Sequence, residues 1–385
     1  MSRGLRIAIV SETFLPQTNG IVTRLCQALR YLPEQDDKVL LLVPDPGGDG
    51  GPAERAGVRI RGVSAFPLPA YPDLPVALPR PAVNRELDEF WPDVVHAVNP
   101  ALLGLNAIYH SRRHRVPLIC SFHTHLPRYL HHYGLGALEP VAWQMLRRVH
   151  AEADRNLCIS GPMEEELRRH GFPRLRMGWR GGVDAARFHP RRRSVEMRRR
   201  LLGANSEGAL LLYVGRLGAE KGIERLRGLL DALPRARLAL VGDGPHRPAL
   251  EQAFSGTATT FVGRLVGEDL ARAYASADVF TFPSDTETLG LVVLEAMASG
   301  LPVVAADAGG VPDLVHRGED GLLLPPGDTP RWVEAVGGLL EDRARRLGLG
   351  GRARLAVEHS WTWEAATADL RSHYLDLVAG SAVAA

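Results

Sequence analysis

Leu210-Leu211-Leu212-Tyr213-Val214-Gly215-Arg216-Leu217-Gly218-Ala219-Glu220-Lys221-Gly222 is the stretch that decides the fold. Five apolar residues run to a glycine, two cations follow closely, and a helical pattern opens after Gly222. An apolar run this short, bounded by glycine, reads as a strand buried on both faces rather than as a helix. Working outward, the same rhythm recurs at 237–241, 259–262, 279–282 and 302–305, and in the first half at 6–11, 38–43, 94–97, 117–122 and 155–159. Segments of helical periodicity lie between. Strands alternating with helices imply mostly parallel sheets covered on both sides, so the expectation is an α/β chain of two doubly wound domains. Its length of 385 residues suits two cores better than one. Residues 178–200, rich in Gly, Arg and Pro, lack apolar periodicity over their first half and read as the linker. The boundary is set near 190, giving domains at 1–190 and 191–362.

Composition narrows the function. Apolar residues at 45% and charged residues at 23% describe a globular chain. No run approaches the roughly 20 apolar residues of a membrane span, and 7–10 is too short for a signal-peptide core, so a cytoplasmic location is expected. A net charge of only +2 argues against nucleic acid as a partner. Cys26, Cys120 and Cys158 are widely spaced in apolar contexts and are expected to be buried thiols. Among 46 basic residues only Lys38 and Lys221 are lysine, which makes Lys221 a candidate for a place needing a compact ammonium.

Two phosphate-binding patterns are excluded. The glycine-rich stretch 45–52 is not spaced G-x-G-x-x-G and no helix start follows it, so it reads as a surface loop. Lys221 is followed by Gly222 rather than Ser or Thr, which removes a P-loop.

The most specific constellation is Ser284-Asp285-Thr286-Glu287-Thr288-Leu289-Gly290 running into a helix from Leu291, with a second carboxylate at Glu295. Backbone N–H groups of Thr288, Leu289 and Gly290 at a helix start suit a phosphate. On a helical path Glu287 and Glu295 would lie about 12 Å apart along the axis, the span of a sugar diphosphate and its ribose. Taken singly, each glutamate is an ordinary helix residue. Arg216 and Lys221 follow a strand at its carboxyl end, where doubly wound sheets bind ligands. A cation about 4 Å from a diphosphate oxygen contributes on the order of 4 kcal/mol before desolvation. No Asp-x-Asp clamp for a divalent ion occurs, so leaving-group charge falls to Arg216, Lys221 and the helix start. No metal and no cofactor is expected.

In the first half His123 follows a strand, with His125, His131 and His132 nearby. A metal reading finds no acidic ligand spaced with them, so His123 is taken as a polar group at a ligand cleft. The loop Gln17-Thr18-Asn19-Gly20, between strand and helix, would face the same place, Gly20 permitting close backbone approach.

Together these residues resemble the large retaining glycosyltransferase family 4 (glycosyl transferases group 1) of GT-B fold, which includes bacterial mannosyl-, glucosyl- and glycolipid-forming enzymes. The resemblance is carried by 11–20, by His123-Thr124 with Tyr129, by 179–190, 215–222 and 242–245, by 287–295, by Gly309-Gly310-Val311-Pro312, and by Trp361-Thr362-Trp363-Glu364. It implies two Rossmann-like domains with an interdomain cleft, a nucleotide-sugar donor on the C-terminal domain, a lipid or glycan acceptor on the N-terminal one, and a final helix, 363–385, crossing back to the first domain. It implies that Gly215, Arg216 and Lys221 hold the diphosphate, Glu287 orients the donor sugar, Glu295 binds ribose, and His123 contacts the sugar near the reacting carbon. Asn19 and Gly20 would sit by the phosphate, and Gly263 and Arg264 by the base. Two positions depart from the pattern: Thr288 stands where Phe is common and Asp313 where Glu is usual. Retention by same-face attack, assisted by the leaving phosphate, is the mechanism such enzymes imply.

Three rivals share parts of this reading. A pyridoxal phosphorylase lacks a well-placed lysine, a sugar-nucleotide epimerase lacks support, and a regulatory sugar-nucleotide-binding protein would not need His123, Glu287 and Glu295 together. Residues 129–149 mix Leu, Trp, Tyr and His with Arg147 and Arg148, a composition that fits either a helix packed on its own domain or a surface leaning on anionic lipid at the inner face of the membrane. The arginines at 191–193 and 198–200 are expected to form a solvated linker face.

Overall fold

In the computed structural model the alternating segments form two separate parallel-rich sheets. The structure describes residues 4–384 apart from 18, 46–52, 56, 69–70, 124–135 and 204–206. The expected loop at 46–52, and Thr18, Thr124, His125, Tyr129, His131 and His132, therefore lie outside the described residues.

The chain divides into two compact units, Met1–Arg180 with Trp363–Ala385, and Gly181–Thr362. In the first unit the strands are β1 (Arg6–Ser11), β2 (Lys38–Asp45), β3 (Ala53–Arg55), β4 (Val58–Leu68), β5 (Tyr71–Ala77), β6 (Val94–Val98), β7 (Leu118–Phe122), β8 (Arg155–Cys158) and β9 (Leu175–Met177). They order as β3-β4-β2-β1-β6-β7-β8-β9, with β5 paired to β4. Strand alternation splits the core into two layers: Ile7 and Ile9 pack with Leu25, Leu41, Leu370 and Tyr374, whereas Ala8 and Val10 pack with Leu40, Leu42, Val83 and Leu87. Leu370 and Tyr374 belong to the helix Trp363–Ala384, which is fastened to the same unit by Arg371 on the buried Asp37 carboxylate at 2.7 and 3.0 Å. Cys120 and Cys158 are buried and Cys26 partly so.

The second unit holds β10 (Ala209–Val214), β11 (Ala236–Val241), β12 (Thr259–Gly263), β13 (Val279–Phe282), β14 (Val303–Ala306) and β15 (Leu322–Leu324), all parallel, in the order β12-β11-β10-β13-β14-β15. Strand order reverses between β10 and β13, as it does between β1 and β6 in the first unit. At such a switch point the crossovers leave in opposite directions and open a crevice at the strands' carboxyl ends.

Two expectations change. The units divide between Arg180 and Gly181, inside the expected linker 178–200 but ahead of the expected boundary near 190, and the crossing is packed: Trp179 is fully buried, and Val183 is buried and donates its amide to Trp361. Apolar periodicity was missing there because the segment packs through one indole and bare backbone rather than through a helix or strand face. Arg198 likewise is no solvated charge. From the helix Val195–Leu202 it donates to the Ser276 and Gly208 carbonyls at 2.8 and 2.9 Å and to the Asp278 carboxylate at 2.8 Å, binding the first helix of the second unit to its sheet.

Candidate functional site

The loops leaving β10 and β13 are neighbours at the switch point of the second sheet, and side chains lock them together. Arg225 donates to the Pro283 carbonyl at 3.1 Å and to Asp285 at 2.8 Å, and the Thr286 hydroxyl donates to the Glu220 carbonyl at 2.9 Å. Between these fastenings Lys221 Nζ donates to Glu287 Oε2 at 2.7 Å, the two side chains being 12% and 20% exposed. Arg216 Nη2 meets Glu220 Oε1 at 2.5 Å, with Glu220 buried. Each cation thus already carries a carboxylate partner. An ammonium has three donors and a guanidinium five, the donor sets that would meet phosphate oxygens.

Gly290 stands at φ 98°, a left-handed conformation that turns the chain sharply into the helix Leu291–Ala298. The helical path therefore begins only at Leu291, and the 12 Å rise expected between Glu287 and Glu295 does not apply, because residues 287–290 are not helical. Leu291 and Val292 open the helix with amides that have no preceding carbonyl to bind, an anion-attracting end. Leu289 is buried beneath the loop and Thr288 is partly exposed. The glycine pair after β14 has a steric reason: a Cβ on Gly309 would strike the Glu287 carbonyl and one on Gly310 the Thr288 carbonyl, while the Gly310 amide donates to Glu287 O at 2.8 Å. Those glycines cradle the backbone that aims Glu287.

Glu295, one helical turn in, accepts from the Tyr274 hydroxyl at 2.8 Å. Burial pushes its carboxyl up to about 7, against the opposing pull of Tyr274 and Arg187. Gly263 ends β12, two strands from β10 on the same carboxyl rim, and the exposed Arg264 follows it.

In the first unit, Asn19 Oδ1 accepts from the amides of Ile21 and Val22 at 3.0 Å each and caps the helix Gly20–Tyr31, with Asn19 and Gly20 exposed. His123 is buried after β7. Because strand side chains alternate, Ser121 and His123 share a face, and Ser121 Oγ lies 2.9 Å from His123 Nε2 and 2.8 Å from His96 Nε2, whose Nδ1 is 2.7 Å from the Tyr374 hydroxyl. Trp179 packs edge-on against both imidazoles at 5.1 and 5.3 Å. Burial, and then the nearby Arg24 charge, hold His123 well below the ordinary histidine range, so its ring is neutral. Its Nδ1 has no hydrogen-bond partner among the described residues.

Comparison with known proteins identifies the family and the fold. Residues 208–342 match the family model described as Glycosyl transferases group 1, and residues 18–187 the one described as Glycosyltransferase Family 4. A sulfoquinovosyl transferase of Arabidopsis thaliana is 40% identical over 380 residues, spanning 97% of this chain and 74% of its own. A GDP-mannose-dependent alpha-mannosyltransferase of Mycobacterium tuberculosis is 40% identical over 362 residues, 93% of each chain. The chain belongs to glycosyltransferase family 4. Its GT-B fold is shared with a sucrose-phosphate synthase of Thermosynechococcus elongatus (TM-score 0.78, 23% identity, 98% of this chain and 100% of that one). It is shared also with Anabaena HepE solved with UDP-glucose (TM-score 0.73, 20% identity, 96% and 100%).

For a glycosyltransferase of this family, several groups escaped sequence reading. Arg24 is buried on the apolar face of its helix, among Ile21, Leu25 and Ala28, and donates to the Arg180 carbonyl at 2.7 Å. A cation at the position where helical spacing calls for an apolar residue was a readable signal. Ser121, His96 and Tyr374, which fix His123, lie up to 278 residues apart and gave none. Tyr274 and Arg225 also look ordinary in the sequence, because only folding brings their partners near.

Proposed function

We propose that the chain is a retaining hexosyltransferase that takes its sugar from a nucleotide diphosphate, GDP-mannose foremost, and passes it to a lipid or glycan acceptor without a divalent metal. The observation that carries this reading is the Lys221–Glu287 pair at 2.7 Å, held at the switch point of the second sheet beside the start of the Leu291 helix. Lys221 and Arg216 bind the diphosphate and receive the charge that grows on it as the sugar leaves, aided by the helix amides. Glu287 accepts a sugar hydroxyl and orients the transferred ring. Glu295 takes the ribose hydroxyls, and its fixed partner Tyr274 orients it for that role. Gly215 gives the diphosphate backbone access, and Gly263 with Arg264 borders the base.

His123 serves the same reaction from the first unit. A neutral imidazole held by Ser121 presents Nδ1 to the sugar without adding a charge that would oppose an oxocarbenium-like centre. Asn19 and Gly20 form the phosphate-facing turn. Retention follows from same-face attack, with the departing phosphate oxygen taking the acceptor's proton.

The mannosyl choice rests on relatives named for GDP-mannose that cover this chain almost completely. A sulfoquinovosyl donor is the second reading, favoured by equal identity to the plant relative. An acceptor at the cytoplasmic face of a membrane is supported by an exposed row, Leu138, Val141 and Met145, along the helix Glu139–Ala151 with Arg147 and Arg148 beside it. No helix among the described residues is long and apolar enough to cross a bilayer. The test is a transfer assay with GDP-mannose, UDP-glucose and a nucleotide-linked sulfoquinovose against lipid and water-soluble acceptors, with the anomeric configuration of the product read by NMR. An inverted product, or turnover of none of these donors, overturns the proposal.

A further inference from the structure

We propose that the first unit carries a zinc site, separate from the transferase chemistry, made by Asp88, His110 and His114. One ligand atom from each lies within 4.8 Å of the others. Asp88 Oδ1 is 3.0 Å from His110 Nδ1 and 3.0 Å from His114 Nε2. His110 and His114 are one turn apart on the helix Gly104–His114, so their rings face the same way, and Asp88 comes from the neighbouring helix Pro81–Phe90. Two imidazoles and a carboxylate form an N/O set that suits zinc, leaving a coordination position for water.

One Asp88 oxygen attracts both imidazoles at 3.0 Å, yet among the described residues none of His110 Nδ1, His110 Nε2 and His114 Nε2 makes a well-directed hydrogen bond. His110 is 1% exposed, so a ring nitrogen without a directed hydrogen bond is costly there, and an ion would take up one nitrogen of each imidazole. Ligand atoms about 2.0 to 2.2 Å from a tetrahedral ion stand roughly 3.3 Å apart, close to the two 3.0 Å approaches to Asp88 Oδ1. The exposed Arg113, bonded to the Tyr109 hydroxyl, is the nearby cation that also feels Asp88.

Placement argues for a structural clip. The Gly104 helix leaves the carboxyl end of β6 and runs back, so His114 lies at the amino edge of the sheet, ahead of β7. Asp88 sits near the end of the helix that leads into the amino end of β6. Ligands of doubly wound sheets bind at the opposite edge. The ion would cross-link two outer helices and leave the transfer site untouched.

The test uses the full, untagged chain, dialysed against zinc, passed over chelating resin and assayed for metal. Wild type should retain about one zinc per chain. Added zinc at a hundredfold excess over its dissociation constant should raise the unfolding midpoint by roughly 5 to 10 °C, reversibly with chelator. Asp88→Asn and His114→Gln, at partly exposed positions where folding tolerates change, should each lose the zinc and the shift while keeping wild-type sugar transfer. No retained zinc in wild type, or retention by either variant, overturns the assignment.

Discussion

Replacing Lys221 by alanine tests the proposed chemistry most directly. At an effective dielectric near 20, an ammonium about 4 Å from a diphosphate oxygen contributes on the order of 4 kcal/mol. Only the part that grows between bound donor and transition state accelerates the reaction. If the departing oxygen has gained between half and a full charge, that part is about 2 to 4 kcal/mol, so kcat should fall between roughly 30-fold and 1000-fold. The substitution also strands Glu287, which is 20% exposed and bonded to Lys221 at 2.7 Å, at a stability cost of about 1 to 2 kcal/mol. Adding Glu287→Gln removes the stranded charge. The double variant should regain the unfolding midpoint and none of the turnover. Steady-state transfer of radiolabelled donor and thermal unfolding, run on both variants, separate the two effects. A single variant within threefold of wild-type kcat, or a double variant whose turnover returns with its stability, refutes the reasoning.

Four further outcomes follow from the same geometry. Glu295 titrates at about 7 when folded against 4.5 unperturbed, so its proton favours the folded chain below about 4.5 and that contribution is lost as pH rises through about 7. Glu295→Gln should therefore melt higher than wild type above neutrality and converge with it in acid, while wild-type donor affinity, followed by calorimetry, should weaken as pH falls through about 7 and the variant's should not. Gly309→Ala should lower kcat/KM by more than tenfold with little loss of secondary structure by circular dichroism, since its methyl displaces the Glu287 carbonyl. Asn19→Ala removes two capping bonds and should cost about 1 kcal/mol in urea unfolding. Exhaustive chelation should leave sugar transfer unchanged; loss of transfer, restored by a divalent ion, would remove the metal-free assignment.

How much of this was legible depends on where the partners lie. β1 and β13 match the expected 6–11 and 279–282 residue for residue, and β10 gains only Ala209, because parallel strands buried on both faces are continuous apolar runs that need no partner to be recognised. β9 and β15, three residues each, are shorter than any pattern window, whereas β4 was missed although its opening Val58-Arg59-Ile60-Arg61 alternates as a half-exposed strand does. Arg216, Lys221 and Glu287 could be chosen because they follow strand ends, where doubly wound sheets bind ligands. Their pairing could not be. That Lys221 holds Glu287 across 66 positions depends on β10 and β13 being adjacent, which no single-sequence periodicity encodes. The His96–Ser121–His123 chain of contacts belongs to the same class of long-range consequence.

The prior pairing of both cations bears on how such a site can turn over. In the proposed site Glu287 offsets Lys221 and Glu220 offsets Arg216, so the diphosphate of a donor would meet directed N–H groups rather than a strong positive field. Two uncompensated cations would hold the intact donor and the released nucleotide about equally hard, and binding that is uniform along the reaction lowers KM without raising kcat. Carboxylate partners temper the attraction in the ground state. As charge gathers on the leaving oxygens, the same cations, already oriented by Glu287 and Glu220, need no reorganisation to receive it. Moderate hold on donor and product, with the strongest interaction reserved for the moment of departure, follows from placing the acids behind the bases rather than from the number of positive charges.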